Sequence, residues 1–469
     1  MRSPLIFYFP YRGTGGVPVL FLRLAQLLRG EYDVYLVDHR DGAMGARVPQ
    51  GVTLLDIDAR TPFPDGGVLV VQSLLPWNLA AADRLGPRTR VLLWNLHPYN
   101  LYPYLFSDYG ASVAKRAVAR LVNPLSALRV RKMRHVVSYL TRHHALVFMD
   151  EENRTRTQAF FPGLPIEGRY LPVLSDAPAE RHLRPAGGPL RCGWIGRLVD
   201  FKAHILSHLM ARLDAAVTAV GPITLTVIGD GAHRERLQQE AAALTRLSVT
   251  FVPPVPVEQL GRLVDAEIDV LFAMGTSALD GASRGIPTFL VDYSFRPIEG
   301  LYRFRLIQES RGFSLGNLVT ETSFEATSSL EESLRAVRRD YAALASAGVE
   351  YWRAHHSPDA VAGRFRECVA GTSATVGEMR AAGFLSPDPI SRAVLRPARR
   401  LAGLSASAGF DNVGRACRCR AERRCRPTPA LTPARRSRSP CSCCSCSRRR
   451  PAWSTSRASC SASGSSWRG

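Results

Sequence analysis

The sequence predicts an α/β protein made of two doubly wound domains in tandem, and three observations carry that prediction. Short apolar runs of strand length alternate with longer runs of helical period throughout residues 1 to 350, the pattern of parallel sheets covered by helices on both faces. A polar segment rich in proline and glycine, DAPAERHLRPAGGP (176–189), interrupts the alternation and marks a domain boundary. The alternation then restarts, and no short repeat is visible.

In the first half, LIFYF (5–9) reads as a buried strand, GTGG as a turn and VPVLFLRLAQLL as a helix. Pro18 sits in the first turn of that helix, and Leu20, Leu24, Leu27 and Leu28 recur at helical spacing. VYLV (34–37), VTLLDI (52–57), VLVV (68–71), VLLW (91–94) and ALVFM (145–149) follow as strands, with YLPVL (170–174) expected as the last of that sheet. In the second half, LRCGWI opens a new sheet that LTVIG (225–229), VTFV (249–252), IDVLFA (268–273) and PTFLV (287–291) extend. The expected organisation is one domain over residues 1–178, a second over 190–350, a closing helix at 351–372 and an extension over 373–469.

A chain of 469 residues with 46% hydrophobic content can fill a core in each domain. No apolar run approaches the roughly 20 residues of a membrane span. The N-terminus MRSPLIFYFPYRG is too short and aromatic for a secretion signal. A cytoplasmic location is expected. The net charge of +21 is uneven: residues 411–469 hold fourteen Arg against Asp411 and Glu422, so +12 of it lies there. The body is only moderately basic, and nucleic acid is not an expected partner. Cys192 and Cys368 are the only cysteines before Cys417, which fits a reduced compartment without a disulfide framework.

From about residue 411 the chain is mostly Arg, Ser, Cys, Pro and Ala, a composition that buries no core. A disordered tail or a frameshifted reading of a GC-rich gene is expected there, and a chain ending at Phe410 is expected to keep its function. The alternatives are a basic anion-binding tail, or a zinc site from Cys441, Cys443, Cys444 and Cys446, whose spacing lacks the second half of a closed site.

Open α/β sheets bind ligands beyond the carboxyl ends of their strands, and every candidate residue lies at such an end. Gly13, Gly15 and Gly16 follow the first strand and suit close backbone approach to a ligand. A dinucleotide fingerprint would continue with glycine at position 18, where Pro18 stands, although Asp38 ends the next strand as a ribose-binding acid would. Arg197 and Lys202 follow the first strand of the second domain. They read either as solvated surface cations or as a clamp on a diphosphate, Arg as a bidentate fork and Lys as a point charge. Gly229 and Gly231 lie at a strand end, where a helix start can approach a base or phosphate. An ordinary turn capped by Asp230 is the alternative. In AMGTSALDGASRGIPT (273–288), Gly275, Thr276 and Ser277 form a loop and Asp280 lies in the first turns of the helix that follows. Its carboxylate either favours the helix dipole or accepts two ribose hydroxyls.

Taken in order, GTGGV, GRLVDFK, VIGDG and ALDGASRGIPT resemble the GT-B glycosyltransferases, in particular the large retaining family 4 that includes bacterial polysaccharide and sucrose-synthase-type enzymes. The resemblance covers roughly residues 5–370. It implies two Rossmann-like domains facing a cleft, a nucleotide-diphosphate sugar as donor, and a glycan or lipid-linked acceptor in cell-surface polysaccharide or glycolipid synthesis. It makes Arg197 and Lys202 the phosphate-binding pair and His97, after VLLWNL, a sugar contact. Gly15, Gly16, Gly229, Gly231, Gly275, Thr276, Ser277 and Asp280 become donor contacts. No cofactor or metal is expected, the donor being a substrate. Two departures stand out: Asp280 replaces the family's second glutamate, and Phe272 stands eight residues earlier, where the first is expected. The amides of Gly275 to Ala278 are then the alternative sugar contacts.

Two rival readings remain open. Asp56 and Asp58 have the aspartate-x-aspartate spacing of metal-dependent GT-A transferases, and the missing first glutamate suits a non-catalytic sugar-nucleotide-binding subunit. Residues 98–135 mix aromatics with cations, among them Lys115, Arg116, Arg120, Arg129, Arg131 and Lys132. This segment is either a solvated helix face or a peripheral contact with an anionic membrane on the acceptor side.

Overall fold

The computed structural model describes residues 2–13, 15–72, 74–104, 117, 120, 121, 123–178, 188–324 and 329–387. The expected tail and most of the proline- and glycine-rich boundary lie outside the described residues.

Two six-stranded sheets carry the fold. In the first, β1 (Pro4–Tyr8), β2 (Asp33–Asp38), β3 (Thr53–Asp56), β4 (Val68–Gln72), β5 (Arg90–Asn95) and β6 (Leu146–Phe148) lie in the order β3-β2-β1-β4-β5-β6, all parallel. In the second, β7 (Leu190–Ile195), β8 (Ile223–Ile228), β9 (Ser248–Val252), β10 (Val270–Ala273), β11 (Thr288–Leu290) and β12 (Arg305–Leu306) repeat that order as β12-β11-β10-β7-β8-β9. This is the doubly wound arrangement, with its direction reversing at β1/β4 and at β7/β10.

The central strands are legible because they are buried on both sides. Leu5 and Phe7 face one core of the first sheet, with Phe21 and Leu24 of helix α1 (Gly16–Leu28), while Ile6 and Tyr8 face the other. The second sheet is sandwiched likewise, Cys192 and Trp194 on one side and Ile195 on the other.

Two expectations need correction. YLPVL (170–174) is not a strand: Tyr170 forms an isolated bridge to Phe148, Leu171 donates to Phe148, and Pro172 brings no N–H to continue the ladder. The second sheet is not wholly parallel, since β12 runs antiparallel to β11.

The chain ends by returning to the first sheet. A helical stretch (Leu330–His355), kinked at the non-helical Asp340, stops at His356, and Ser357 caps a separate helix (Pro358–Gly371) whose Phe365 packs 5.8 Å from Phe7, ring to ring. Thr375 then bridges to Arg90, and Ala374, Val376 and Met379 join the first core. Residues 373–387 of the expected extension are therefore part of the folded body.

Candidate functional site

The site grows from the exit of β7. Ile195 ends the strand, the chain turns through Gly196 to Val199, and helix α2 (Asp200–Val220) begins with no side-chain cap on its amides. The turn is tied to the neighbouring loop: Gly196 N–H donates to Ile228 (3.1 Å), Leu198 N–H to Asp230 (2.9 Å) and His233 N–H to Leu198 (3.1 Å). These bonds fix the loop carrying Arg197.

Gly229 and Gly231 explain how the two loops come so close. Their φ values are +157° and +156°, in the region that favours glycine, and a Cβ would stand 2.0 Å from the Gly196 carbonyl oxygen and 2.4 Å from that of Leu198. Their glycine character thus makes room for the Arg197 loop. Asp230 does not cap the next helix, whose N-cap is His233 without a side-chain bond.

Arg197 is exposed, whereas Lys202, in the first turn of α2, is half-buried. Neither has an ion-pair or side-chain hydrogen-bond partner among the described residues. Burial first, and the Arg197 charge second, push the Lys202 ammonium down to about 8. A cation held partly away from water without a carboxylate is costly. An anionic ligand would offset that cost.

Strand β10 lies beside β7, with Phe272 opposite Trp194. Two residues after it, Gly275 adopts φ +64° and ψ −142° and opens the uncapped helix α3 (Thr276–Ser283). Thr276 is exposed and Ser277 half-buried. Phe272 itself is fully buried and stacks on Phe289, centroids 5.1 Å apart, so position 272 faces the core. The connection to α3 is Met274 and Gly275.

Asp280, one turn into α3, is half-buried, with no hydrogen bond or ion pair to its carboxylate among the described residues. Burial raises its pKa most, Asp176 adds to this, and Arg23 and Arg284 oppose it. Arg23 belongs to α1 and pairs with Asp176 at 2.8 Å. Asp280 is thus within electrostatic reach of the first domain. Sequence reasoning missed Arg23, which looks like an ordinary helix-surface cation.

On the first sheet, Gly15 and Gly16 begin α1 without a side-chain cap. A Cβ on Gly16 would meet nothing within 4 Å, and one on Gly15 only Pro18 and Tyr11 at 3.8 and 3.9 Å. Packing with the described residues therefore does not require glycine at either position. Thr14 lies outside the described residues. His97 follows β5, partly buried against Tyr99. Its Nδ1 accepts the Tyr99 N–H at 3.4 Å, and burial lowers its pKa to about 4. The imidazole is neutral at ordinary pH.

Three aspartates singled out by position are already engaged within the first sheet's loops. Asp38 is fully buried and accepts the backbone N–H groups of Tyr11, His39, Met44 and Gly45 at 2.7 to 3.1 Å, which makes it an organiser of the backbone around Tyr11 and His39–Gly45 rather than a ribose ligand. Asp56 accepts from Arg40, and Asp58 from Arg12 and His39. No cluster of metal-ligating side chains occurs among the described residues.

The structure packs Arg197, Lys202, Gly229 and Gly231 into one loop system and sets Gly275 to Ser277 after the adjacent strand. Gly15, Gly16 and His97 lie at strand exits of the other sheet. Residues 105–116 of the basic-aromatic segment, including Lys115 and Arg116, lie outside the described residues. Arg129 is a correction, since it is buried, donates to Pro103 and lies 5.9 Å from the Trp77 ring. Arg131, Lys132, His135 and Arg142 do line a groove of about 530 Å³ with Phe384, near the exposed Leu125 and Leu128. No described helix is long and apolar enough to cross a membrane.

Comparison with protein-family models and with curated proteins returns no match. Among solved structures, the lipopolysaccharide outer core galactosyltransferase WaaB in its apo form is similar, at 12% identity and a TM-score of 0.50, with 79% of this chain and 99% of that one covered. Anabaena HepE in complex with UDP and glucose aligns at 12% identity and a TM-score of 0.48, covering 79% of this chain and 100% of that one. Together with the sheet order, the first likeness identifies the architecture as the GT-B fold.

Proposed function

We propose that the chain is a glycosyltransferase that takes a sugar from a nucleotide-diphosphate donor. The observation that carries this reading is the pair Arg197 and Lys202, without a carboxylate partner among the described residues, at the β7/β10 reversal of a GT-B sheet. The galactosyltransferase activity named for WaaB supports it as chemistry that this fold hosts. The diphosphate lies over the β7 exit, Arg197 takes two of its oxygens and Lys202 supplies a point charge. Negative charge grows on the leaving phosphate as the sugar becomes oxocarbenium-like, so both cations bind the transition state more tightly than the donor.

The remaining assignments follow. Asp280 accepts the ribose hydroxyls and, as these bonds form, its carboxylate gains the partners it now lacks. The amides of Gly275 to Ala278 and the His97 imidazole contact sugar hydroxyls, and Gly15 and Gly16 give the diphosphate access to the start of α1. Gly229 and Gly231 act by holding the Arg197 loop. The anomeric configuration is retained, in the manner of family 4, with the leaving diphosphate taking the acceptor's proton. The acceptor is a glycan or lipid-linked saccharide of a cell-surface polysaccharide or glycolipid. The Arg131 to Arg142 groove holds the protein peripherally on the inner, anionic face of a membrane.

A second reading, a non-catalytic sugar-nucleotide-binding subunit, is favoured by Phe272, which stands in the core where the first glutamate was expected. Incubating the protein in EDTA with a panel of nucleotide-diphosphate sugars, and measuring binding beside release of nucleoside diphosphate, separates the two. Release that Arg197→Ala abolishes supports the transferase, whereas tight binding without release supports the subunit. Activity that needs added manganese overturns the metal-free scheme.

A further inference from the structure

Trp194 holds a polar group that neither the fold nor the scheme above uses. The residue is 1% exposed, and its indole Nε1–H is closed to solvent with no hydrogen-bond partner among the described residues. A buried donor left unpaired is costly, and most such groups find a partner. Trp94, the other tryptophan in the middle of a sheet, donates its Nε1–H to the Leu171 carbonyl at 2.8 Å.

The orphaned nitrogen lies beside the phosphate clamp. From the point where a Cβ on Gly196 would stand, Lys202 Nζ is 3.2 Å away and Trp194 Nε1 is 3.7 Å away. Two donors converge there, and a charged ammonium cannot accept from an indole. What the place lacks is an acceptor carrying negative charge, and Gly196 contributes no side chain to obstruct one.

We propose that Trp194 is a third donor to the diphosphate, its indole N–H and the Lys202 ammonium holding one phosphate oxygen between them beside Gly196. This rests on the reading of the site as a nucleotide-diphosphate pocket. The oxygen reaches the indole as the Lys202 stem, long and rotatable, shifts to take its share of the charge. Trp194 then connects the ligand to the floor of the second sheet, where its strand neighbour is Phe272.

The test uses the full chain labelled with ¹⁵N on its tryptophan indoles, titrated with UDP, ADP, GDP and inorganic pyrophosphate. The Trp194→Phe variant identifies the Trp194 signal. Should that variant not fold, replacing each of the other tryptophans in turn assigns the signal by elimination. A downfield move of that indole proton on binding, with a loss of about tenfold in affinity in Trp194→Phe, supports the assignment. Binding that Arg197→Ala weakens, while the Trp194 signal stays still and Trp194→Phe binds like wild type, overturns the third donor and leaves the clamp standing. Absence of binding by every probe overturns both.

Discussion

Replacing Lys202 by methionine should make the unliganded protein more stable while removing its function. Methionine keeps the length and most of the apolar stem and deletes only the ammonium. The folded state holds that ammonium at about 8 against 10.5 for a free lysine, through burial and then Arg197. That difference places about 3 kcal/mol of instability on the charged form as an upper bound, reduced where solvent reaches the nitrogen. The pH dependence follows from linkage. Below about pH 8 both folded and unfolded chains carry the proton, so the penalty is complete. Between there and 10.5 the folded chain has released it and the unfolded chain has not, so wild-type stability rises with pH relative to the variant. Urea unfolding of both proteins across this range, followed by tryptophan fluorescence, should show Lys202→Met ahead near neutral pH and the gap closing as 10.5 is approached. The same variant should fail to gain stability from nucleoside diphosphate, whereas wild type gains it by mass action. No gain near neutral pH, or a gain that stays constant to pH 10.5, refutes the argument from burial.

Gly229→Ala and Gly231→Ala should each cost at least about 1–3 kcal/mol, because the added methyl meets the carbonyl oxygens of Gly196 and Leu198. Gly16→Ala, where nothing lies within 4 Å, should unfold at the wild-type urea concentration yet bind donor more weakly. Equal stability across the three variants would contradict the packing argument. Asp280→Asn should weaken nucleoside diphosphate in calorimetry and Asp280→Glu should retain it. Equal affinity for Asp280→Asn and wild type removes the ribose role. Sedimentation with anionic liposomes should fall at high salt and when Arg131, Lys132 and Arg142 are changed to Gln. Undiminished sedimentation discounts that groove.

What the sequence made legible was whatever depends on local pattern. β1, β4 and β7 announce themselves because both faces of a parallel strand are buried and the residues run apolar without interruption. Arg197 and Lys202 were readable because unusual cations followed such a strand. Features set by distant neighbours were hidden. YLPVL has the composition of a strand, but Pro172 stops its ladder; β12 is two residues long and gives no periodic signal. Asp38 looked like a ligand-binding acid, and only the folded loop shows four amides converging on it. Counting eight residues back from Asp280 reached Phe272, which the structure places inside β10 with its ring in the core. The role of Gly229 and Gly231 depends on another loop lying 2.0 to 2.4 Å from where their side chains would be, which spacing along the chain does not reveal.

The central claim is that the β7 exit binds the diphosphate of a sugar nucleotide through Arg197 and Lys202. Calorimetric titration of the wild-type chain and of an Arg197→Ala, Lys202→Ala double variant with UDP, ADP, GDP and dTDP tests it most directly. At least one of these should bind wild type and lose on the order of 100-fold or more in the double variant, as the loss of two charge-assisted interactions requires. Failure of all four to bind, or a double variant that binds as tightly as wild type, would contradict it.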